Sequence, residues 1–538
     1  MAEESIKTRS AQRLSIVGGR ETTQRRLHPG TLAGNFAAPI LAVHALQVVD
    51  RALGLGHHLL VSVRVIAQGF KDIDGVVRRG RLFIAEAQHR PQRIVEQRSR
   101  KLLTIFGEID VDRLGYGQRD TTSLMPLDAQ LNLPTDSFSF GVRKRAALAV
   151  TTGSFDIATD FLQRDGISIQ KRQVEELAQR AAVDFDAYYA VRDQLAAGVP
   201  PASPDEPTFL IISTDAKGIV MIPEALREET KKRAASTVHK LETRLSKGEQ
   251  ANRKRNAQVA AVYDVKPHVR RVEDIALLTR RVPDDKRPPP PRATNKRVWA
   301  SVQKSQLTVI VEAFEEAKRR DPTFARPWAV LVDGSHDQLD SVRRIAAAMG
   351  VKVTIVCDLI HVLQYLCKAG HCFEQEGTPE LERYVLERLR HVLDGRVVDV
   401  AAGMRRSATL RKFTGKKRAT VDQCADYLLN HKNELDYPSY LQRGLPISTG
   451  VIEGAVRHLV KDRMDITGAR WGLSGAEAIL RLRVLYTSGD FDEYWAFHLE
   501  QEHLRNHGSR YDSRKPPAVL RPAKYKRGKD ALKLISRT

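Results

Sequence analysis

The run TFLIISTDAKGIVMI at residues 208–222 and the run RPWAVLVDG at residues 326–334 decide the fold that the sequence predicts. Each holds a short apolar segment, FLIIST or AVLV, that is typical of a buried strand, and Asp215 or Asp333 follows it directly. We expect residues 208–222 to form a strand, a turn and a second strand. Because active sites of open α/β sheets collect at the carboxyl ends of the strands, both aspartates are predicted to lie at one sheet edge.

The segments on either side predict an α/β domain that carries a helical insertion. A long polar helix is expected over residues 223–255, a strand over 257–267 and a helix over 298–320. A further helix and the buried strand VKVTIVCD at 351–358 follow, and the pattern after that is helical for about 90 residues. The predicted fold class is therefore α/β, with a mixed sheet and a helical insertion before Glu453.

The N-terminal half contains a predicted hairpin and a predicted pair of helices. The run KLLTIFGEIDVDRLGY at 101–116 alternates and breaks at its first glycine, as a short hairpin does. Two helices flank an Asp-Gly turn at 165–166, which is the outline of a helix-turn-helix. Lys171, Arg172 and Gln173 open the second helix, where such a motif presents side chains to base edges and phosphates. An ordinary helical hairpin with a solvated basic face is the alternative.

The chain is strongly basic, with 87 Lys and Arg against 65 Asp and Glu and a formal net charge of +22. This charge favours a polyanionic partner, with nucleic acid first and an anionic membrane surface second, and a merely basic protein is the remaining alternative. No apolar run is long enough to span a membrane and no signal-peptide core opens the chain, so we expect a cytoplasmic, nucleoid-associated protein. The cysteines form no CxxC pair, and Cys367, His371 and Cys372 match no standard zinc finger.

A third carboxylate, Glu453, lies in the first turn of a helix predicted to begin near Gly450. Three carboxylates brought to one sheet edge repel one another, and a divalent cation relieves that repulsion. Hard oxygen ligands favour Mg²⁺ or Mn²⁺, and two ions about 3.5–4 Å apart would clamp the attacking and leaving oxygens of an in-line phosphoryl displacement. Taken singly, each residue also fits a structural role: the aspartates as turn residues or caps, and the glutamate beside a helix dipole.

The segment from the Glu453 helix to residue 471 supplies candidate DNA contacts. In a regular α-helix, the residues four and eight positions after Glu453 share its face. A flat aromatic side chain beside an arginine suits stacking on an unpaired base at a DNA end, although burial of Trp471 in the core is an equal alternative. The candidate contacts are Arg457, His458, Lys461, Arg463, Arg470 and Trp471.

Four motifs around these carboxylates resemble those of the ISKra-type insertion-sequence transposases. They are DAKG at 215–218, VLVDGSHDQ at 330–338, DLIHVLQYL at 358–366 and GVIEGAVRHLVKDRMDITGARW at 450–471. The resemblance covers roughly residues 100–511. It implies an RNase H-like fold in which Asp215, Asp333 and Glu453 are a DDE triad that holds Mg²⁺ or Mn²⁺. It also implies cleavage and strand transfer of an insertion sequence, whose terminal inverted repeats and target DNA the protein binds.

The run Asp358-Leu-Ile-His361 is similar to a C/DxxH signature of related Mutator-like and hAT-like enzymes. By this resemblance, His361 would contact the scissile phosphate or orient metal-bound water. A structural Asp–His pair at a strand end is the alternative. Asp358 also competes with Asp333 for the second metal position.

The predicted organisation has six parts. They are a poorly defined arm at 1–95, a hairpin and helix-turn-helix DNA-binding region at 96–197, the first part of the catalytic core at 208–360 with a loop insertion at about 268–297, a helical insertion at 361–445, C-terminal core helices at 446–507 and a basic tail at 508–538. The leading prediction is a DDE transposase that acts as a homo-oligomer, because two DNA ends must be brought together. The alternatives are a non-catalytic DNA-binding protein derived from a transposase and an RNase H-like nuclease. No Walker loop or GxGxxG follows a strand, which disfavours a kinase or dehydrogenase.

Overall fold

The structure is a computed structural model that describes residues 93–117, 123–197, 208–241, 243, 245–246, 249, 251–276, 290–466 and 468–511. Most of the predicted arm at 1–95, the middle of the predicted loop at 268–297 and the predicted basic tail after residue 511 lie outside the described residues.

The strands within these ranges form a separate hairpin and one larger sheet. They are β1 (Arg93–Thr104), β2 (Gly107–Gly117), β3 (Phe209–Val220), β4 (Lys254–Val265), β5 (Thr294–Ser301), β6 (Trp328–Val332) and β7 (Val353–Cys357). Strands β1 and β2 pair antiparallel and confirm the hairpin predicted over 101–116. The other five form a sheet in the order β5-β4-β3-β6-β7.

The five-stranded sheet is mixed. Strands β5, β4 and β3 are antiparallel neighbours, and β3, β6 and β7 are parallel neighbours. Every residue of β6 is buried, as are the first six residues of β3, which requires cover on both faces of the sheet. The prediction of an α/β fold with a mixed sheet is confirmed.

Helices surround this sheet and follow it along the chain. Those in the described ranges are α1 (Pro126–Gln130), α2 (Phe140–Thr152), α3 (Phe155–Arg164), α4 (Lys171–Ala181), α5 (Phe185–Ala197), α6 (Glu228–Ser236), α7 (Val272–Ala276), α8 (Gln306–Arg320), α9 (His336–Met349), α10 (Leu359–Phe373), α11 (Pro379–Leu393), α12 (Val397–Leu410), α13 (Gly415–Asn430), α14 (Tyr437–Arg443), α15 (Gly450–Ala455), α16 (Leu473–Ser488) and α17 (Phe491–Asn506). None of these described helices combines the length and apolar character needed to cross a membrane.

The prediction of a strand, a turn and a second strand over 208–222 is wrong. Strand β3 runs without interruption because β4 pairs with it from Phe209–Val265 to Val220–Lys254, so its polar second half forms ladder hydrogen bonds instead of a turn. The long polar helix predicted over 223–255 is also wrong. Helix α6 is nine residues long and buries no side chain, so no apolar face stabilises a longer helix there.

The helix predicted over 298–320 is a strand and a shorter helix. Residues 294–301 form β5, which pairs antiparallel with β4 and places Val298 opposite Ala261. Helix α8 begins only after Ser305, whose side chain accepts a hydrogen bond from the Thr308 backbone N–H and so caps the helix.

The two helices predicted around residues 165–166 are present as α3 and α4. Gly166 lies in their connection with φ +78°, a conformation that glycine adopts without strain. Helix α4 buries Val174 and Leu177 and packs against α2 and α16. The start of α4 is left exposed.

The segment between β7 and α15 is helical, as the pattern after residue 361 predicts. Helix α10 leads directly out of β7 and packs against α11 and α13. The block then returns to the sheet, because α15 packs against β3 and β4. This return brings the start of α15 to the strands that carry the aspartates.

Candidate functional site

The sheet register aligns three aspartates on adjacent strands. Ser213 pairs with Leu331 between β3 and β6, and Val332 pairs with Cys357 between β6 and β7. Two residues after the first pair are Asp215 and Asp333, and one residue after the second pair are Asp333 and Asp358. The three carboxylates therefore lie at one level. Asp333 and Asp358 follow the ends of their strands as predicted, whereas Asp215 lies within β3.

Asp215 is surrounded by other acidic groups. Its Oδ1 accepts a hydrogen bond from the Ala216 backbone N–H at 2.6 Å. Burial raises the pKa of Asp215, and the negative charges of Asp333 and Glu453 raise it further, against the opposing effects of the Ala216 hydrogen bond and of His361. Asp333, Glu453 and His361 are thus close enough to Asp215 to influence its ionisation.

The turn that carries Asp333 is held by helix α13. The Tyr427 hydroxyl donates to the Asp333 carbonyl oxygen at 3.2 Å, and His431 Nε2 lies 2.7 Å from the Gly334 carbonyl oxygen. Gly334 has φ +92°, and its Cα faces both side chains so closely that an added Cβ would lie 3.0 Å from the Tyr427 hydroxyl. Within the turn, Asp333 Oδ1 accepts from the Ser335 backbone N–H at 3.0 Å. Sequence reasoning missed Tyr427 and His431, since nothing in their local sequence indicates this contact.

The first turn of α9 is tied to the strand that carries Asp215. Gln338 Nε2 donates to both the carbonyl oxygen and the hydroxyl of Thr214 at 2.8 Å, and both residues are buried. Because α9 follows the Asp333 turn, these hydrogen bonds fix Asp333 relative to Asp215. Gln338 lies in the VLVDGSHDQ motif, but its role was not predicted.

Asp358 has the contacts of a positioning residue, so its prediction as a catalytic group or metal ligand has no support from the structure. Its side chain is fully buried and caps α10 by accepting from the His361 backbone N–H. Asp358 Oδ1 accepts from the Thr449 backbone N–H at 3.0 Å, and Oδ2 lies 3.0 Å from His361 Nδ1. Burial opposes ionisation, but these hydrogen bonds hold the pKa of Asp358 below its usual value. Because both of its oxygens have hydrogen-bond partners and its side chain is buried, the structure favours Asp333 over Asp358 as a metal ligand.

His361 forms the predicted Asp–His pair and also faces the other acids. Its hydrogen bond with Asp358 raises its pKa, burial lowers it, and the charges of Asp358, Asp333 and Asp215 raise it again. The side chain is 36% exposed, so the ring is reachable from solvent. The structure therefore shows the Asp358–His361 pair, and the exposure of the His361 ring is compatible with a contact to a phosphate.

Glu453 lies on the first turn of α15, as predicted. The hydrogen bond from Thr449 N–H to Asp358 anchors the residue before this helix, and the Thr449 hydroxyl lies 3.4 Å from Glu453 Oε1. Glu453 is exposed and influences Asp215, so the helix presents its carboxylate on the side of the aspartates.

The carboxylates have the donor chemistry for a hard divalent cation. Asp215 and Asp333 each use one oxygen for a backbone N–H, which leaves the other oxygen of each available among the described residues. Carboxylates that destabilise each other's charge are the groups that Mg²⁺ or Mn²⁺ neutralises. In the described part of the chain, however, no three His, Cys, Asp or Glu side chains are drawn together closely enough to form a ready-made metal site.

The predicted contacts after Glu453 divide into exposed and buried residues. Arg457, His458, Lys461 and Arg470 are exposed. Residues Val456–Lys461 form a π-helical segment, so the helix that follows Glu453 is not a regular α-helix. That Arg457 and Lys461 share the face of Glu453 therefore stays a prediction.

Arg463 and Trp471 lie in the core, which corrects the prediction of Arg463 as a DNA contact and confirms the alternative of core burial for Trp471. Arg463 is 2% exposed, donates from Nε to the Val150 carbonyl oxygen at 2.9 Å, and lies over the rings of Phe155 and Trp471. Burial and the nearby charge of Arg483 lower the pKa of Arg463 to about 10. Trp471 donates from its indole to the Met464 carbonyl oxygen. Both side chains are buried, so neither is available on the protein surface.

The start of α4 is exposed but its side chains have partners. Lys171 Nζ lies 2.7 Å from Asp156, and Arg172 pairs with Glu176 at 3.3 Å. Gln173 accepts a hydrogen bond from the Gln170 backbone N–H and so caps the helix. Exposed ion pairs are worth only about 0–1 kcal/mol, so Lys171 and Arg172 could exchange these partners for phosphates.

The structure thus places Asp333, Glu453 and His361 near enough to Asp215 to affect its pKa, and Asp358 is hydrogen-bonded to His361. It leaves the start of α4 as a separate exposed basic segment. No protein-family model and no curated protein sequence matches the chain.

Proposed function

We propose that the chain is a DDE transposase, similar to those of ISKra-type insertion sequences, that cleaves and transfers DNA at Asp215, Asp333 and Glu453. The observation that carries the proposal is the electrostatic coupling of these acids, since Asp333 and Glu453 both raise the pKa of the partly buried Asp215. Acidic side chains that disfavour the charged form of a neighbouring carboxylate reduce the stability of the fold, which favours a functional role for them over a structural one. The resemblance of the four motifs around them supports the same assignment.

The fold we propose is RNase H-like. Three antiparallel strands that lead into two parallel strands, with α15 packed across β3 and β4, support this assignment. Asp215, Asp333 and Glu453 would hold Mg²⁺ or Mn²⁺, with two ions as the expected number. When bound, the cations would supply charge neutralisation and activation for an in-line phosphoryl displacement.

The residue we assign to the scissile phosphate is His361. Because its Nδ1 is paired with Asp358, Nε2 is the ring atom left for a substrate. The surrounding carboxylates raise the pKa of His361 and favour the charged ring. A charged imidazole would bind a phosphate oxygen and could donate a proton to the departing 3′-oxygen. Asp358 acts on this step only through the orientation of His361.

The DNA would be held by exposed basic residues in two segments. The first segment follows Glu453, and the second is the start of α4, which would act as the recognition helix of a helix-turn-helix. The side chains we propose as contacts to DNA are Lys171, Arg172, Gln173, Arg457, His458, Lys461 and Arg470. Synapsis of two element ends would require a homo-oligomer, and this activity would place the protein at the nucleoid.

A non-catalytic DNA-binding protein derived from a transposase is the second candidate. The observation that favours it is that the described acidic side chains do not form a ready-made metal site. An RNase H-like nuclease differs from both candidates because it would cut DNA without joining it.

The experiment that tests the proposal is cleavage of a labelled duplex that carries the terminal repeat of the encoding element. We expect nicking at the element boundary with Mg²⁺, and joining of the freed 3′-end to a second duplex. Asp333→Asn and Glu453→Gln should bind the duplex with unchanged affinity but lose cleavage by at least about a thousandfold.

A matched control is Asp340→Asn. Asp340 is an exposed residue of α9 that pairs loosely with Arg343 at 3.6 Å, and it should keep full activity. Binding without cleavage in Mg²⁺ or Mn²⁺ by the unmodified chain would favour the non-catalytic candidate. Cleavage without joining would favour the nuclease.

A further inference from the structure

A polar cavity lies between the β1–β2 hairpin, the segment after α1 and the end of α17. It shares no residue with the carboxylate site. Its volume is about 240 Å³, which is large enough for a phosphate group with water molecules. The charged and imidazole side chains that line it are Arg98, Arg100, Arg113, Asp128, His507 and Arg510. Four arginines and one aspartate give these side chains a formal charge of +3, although Arg98 also has an interaction partner.

The positive charge in this cavity is only partly neutralised. Arg113 pairs with Asp128. Arg100, by contrast, donates from Nη2 to the Pro134 carbonyl oxygen at 2.6 Å, so its direct partner is a backbone dipole. Burial lowers the pKa of Arg100, and the positive charges of Arg113 and Arg143 lower it further, against the attraction of Asp128 and Asp136. The guanidinium stays charged at neutral pH and would attract an anion in the cavity.

Hydrogen-bond donors in the cavity wall also lack partners. The Nε atoms of Arg100 and Arg113, and the Oδ1 atom of Asp128, are buried without a hydrogen-bond partner among the described residues. Arg510 is exposed at the rim, and its guanidinium forms no hydrogen bond or ion pair within the described ranges. Unmatched buried polar atoms are costly in a folded protein, and the exposed Arg510 guanidinium is the donor that an oxygen-rich ligand in the cavity reaches directly.

From this cavity, its net charge and its unmatched donors, we infer a binding site for a phosphate group. Guanidinium groups that converge from three chain segments suit a phosphate, because each guanidinium can donate two parallel N–H groups to two of the phosphate oxygens. The phosphate is either a free ion or the phosphodiester of a DNA backbone that passes over the hairpin. The site does not depend on whether the chain cleaves DNA.

The test measures two ligands on the full chain and on two variants. Arg510→Gln removes the rim arginine, which has no structural partner. Arg406→Gln is the matched control, because it removes the same charge from an exposed position on α12. One arm records the thermal midpoint against inorganic phosphate at constant ionic strength. The other records binding of a duplex of arbitrary sequence against salt concentration.

We expect inorganic phosphate to raise the midpoint of the unmodified chain and of Arg406→Gln, and Arg510→Gln to need roughly tenfold more phosphate for the same shift. If the source is DNA, Arg510→Gln should also lower the salt slope of duplex binding by about one. A change in the phosphate arm alone assigns the site to a free phosphate. If Arg510→Gln and Arg406→Gln behave alike in both arms, the cavity is not a phosphate site.

Discussion

Replacing Gly334 by alanine should loosen the turn that carries Asp333. Gly334 has φ +92°, and the new Cβ would lie 3.0 Å from the Tyr427 hydroxyl and 3.2 Å from His431 Nε2. These two atoms contact the carbonyl oxygens of Asp333 and Gly334. The methyl group can be accommodated only if one or both contacts lengthen, and the Asp333 carboxylate would move with the turn.

The expected loss can be worked out from two contributions. A non-glycine residue with positive φ costs about 1–2 kcal/mol. Each lost hydrogen bond adds about 1 kcal/mol, so the sum for Gly334→Ala is about 2–4 kcal/mol. Gly350 provides a control, because it has φ +68° but nothing within 4 Å of its added Cβ. Gly350→Ala should therefore cost only the backbone contribution of about 1–2 kcal/mol.

Urea denaturation of both variants beside the unmodified chain measures this difference. We expect Gly334→Ala to lose about 1–2 kcal/mol more than Gly350→Ala in the free energy of unfolding. Equal losses would refute the role of Tyr427 and His431 in holding the turn.

Three further changes test other parts of the structure. Burial opposes the charge of Glu316, but the adjacent arginines lower the pKa of its carboxyl group from 4.5 to about 2. The charged carboxylate therefore contributes fully to the stability of the fold above pH 4.5, and this contribution is lost as the pH falls towards 2. Glu316→Gln should lower the free energy of unfolding by at most about 3 kcal/mol near pH 7, and should make this free energy less dependent on pH between 4.5 and 2. An unchanged dependence on pH would contradict this. Arg463→Met should leave DNA binding intact but lose about 1–3 kcal/mol of stability, because the Val150 carbonyl loses its donor; weaker DNA binding at full stability would restore Arg463 as a contact. Asp358→Asn should lower the pKa of His361 in an NMR titration, because the carboxylate that raises it is gone, and an unmoved pKa would contradict the pairing.

The parallel part of the sheet could be predicted from local sequence. The apolar run AVLV is followed directly by Asp333, and the run VKVTIVCD ends with Asp358. In the structure, β6 and β7 end directly before these two residues. Their alignment follows because parallel neighbours reached through one helix end at the same edge. Glu453 could be placed on its helix by the same kind of local signal.

The antiparallel part could not be predicted in this way. The second half of β3 resembles a turn in its local sequence, but it pairs with β4 from Asp215–Val259 to Val220–Lys254 and is therefore extended. The composition of residues 223–255 favours a helix. Helix α6, which forms there, buries no side chain, so no apolar core stabilises a longer helix. Both outcomes depend on contacts with segments far away in sequence.

The burial of basic and polar residues was equally hard to predict. Arg463 belongs to a charged run, yet Phe155, Trp471 and the Val150 carbonyl enclose it in the core. The sequence makes Asp358 a candidate metal ligand, but in the structure its Oδ1 accepts a hydrogen bond from the Thr449 backbone N–H. A single sequence shows which side chains carry charge, but the partners that neutralise or orient them come from tertiary packing.

The measurement that tests the central claim most directly is calorimetric titration of the full chain with Mn²⁺, beside Asp215→Asn, Asp333→Asn and the control Asp340→Asn. If the partly buried Asp215 and its acidic neighbours form a metal site, the unmodified chain and Asp340→Asn should bind one or two ions. Each of the other variants should bind at least about tenfold more weakly, since one charged ligand is lost. Equal affinities in all four proteins, or no binding by the unmodified chain, would contradict the claim that these carboxylates form a metal-dependent site.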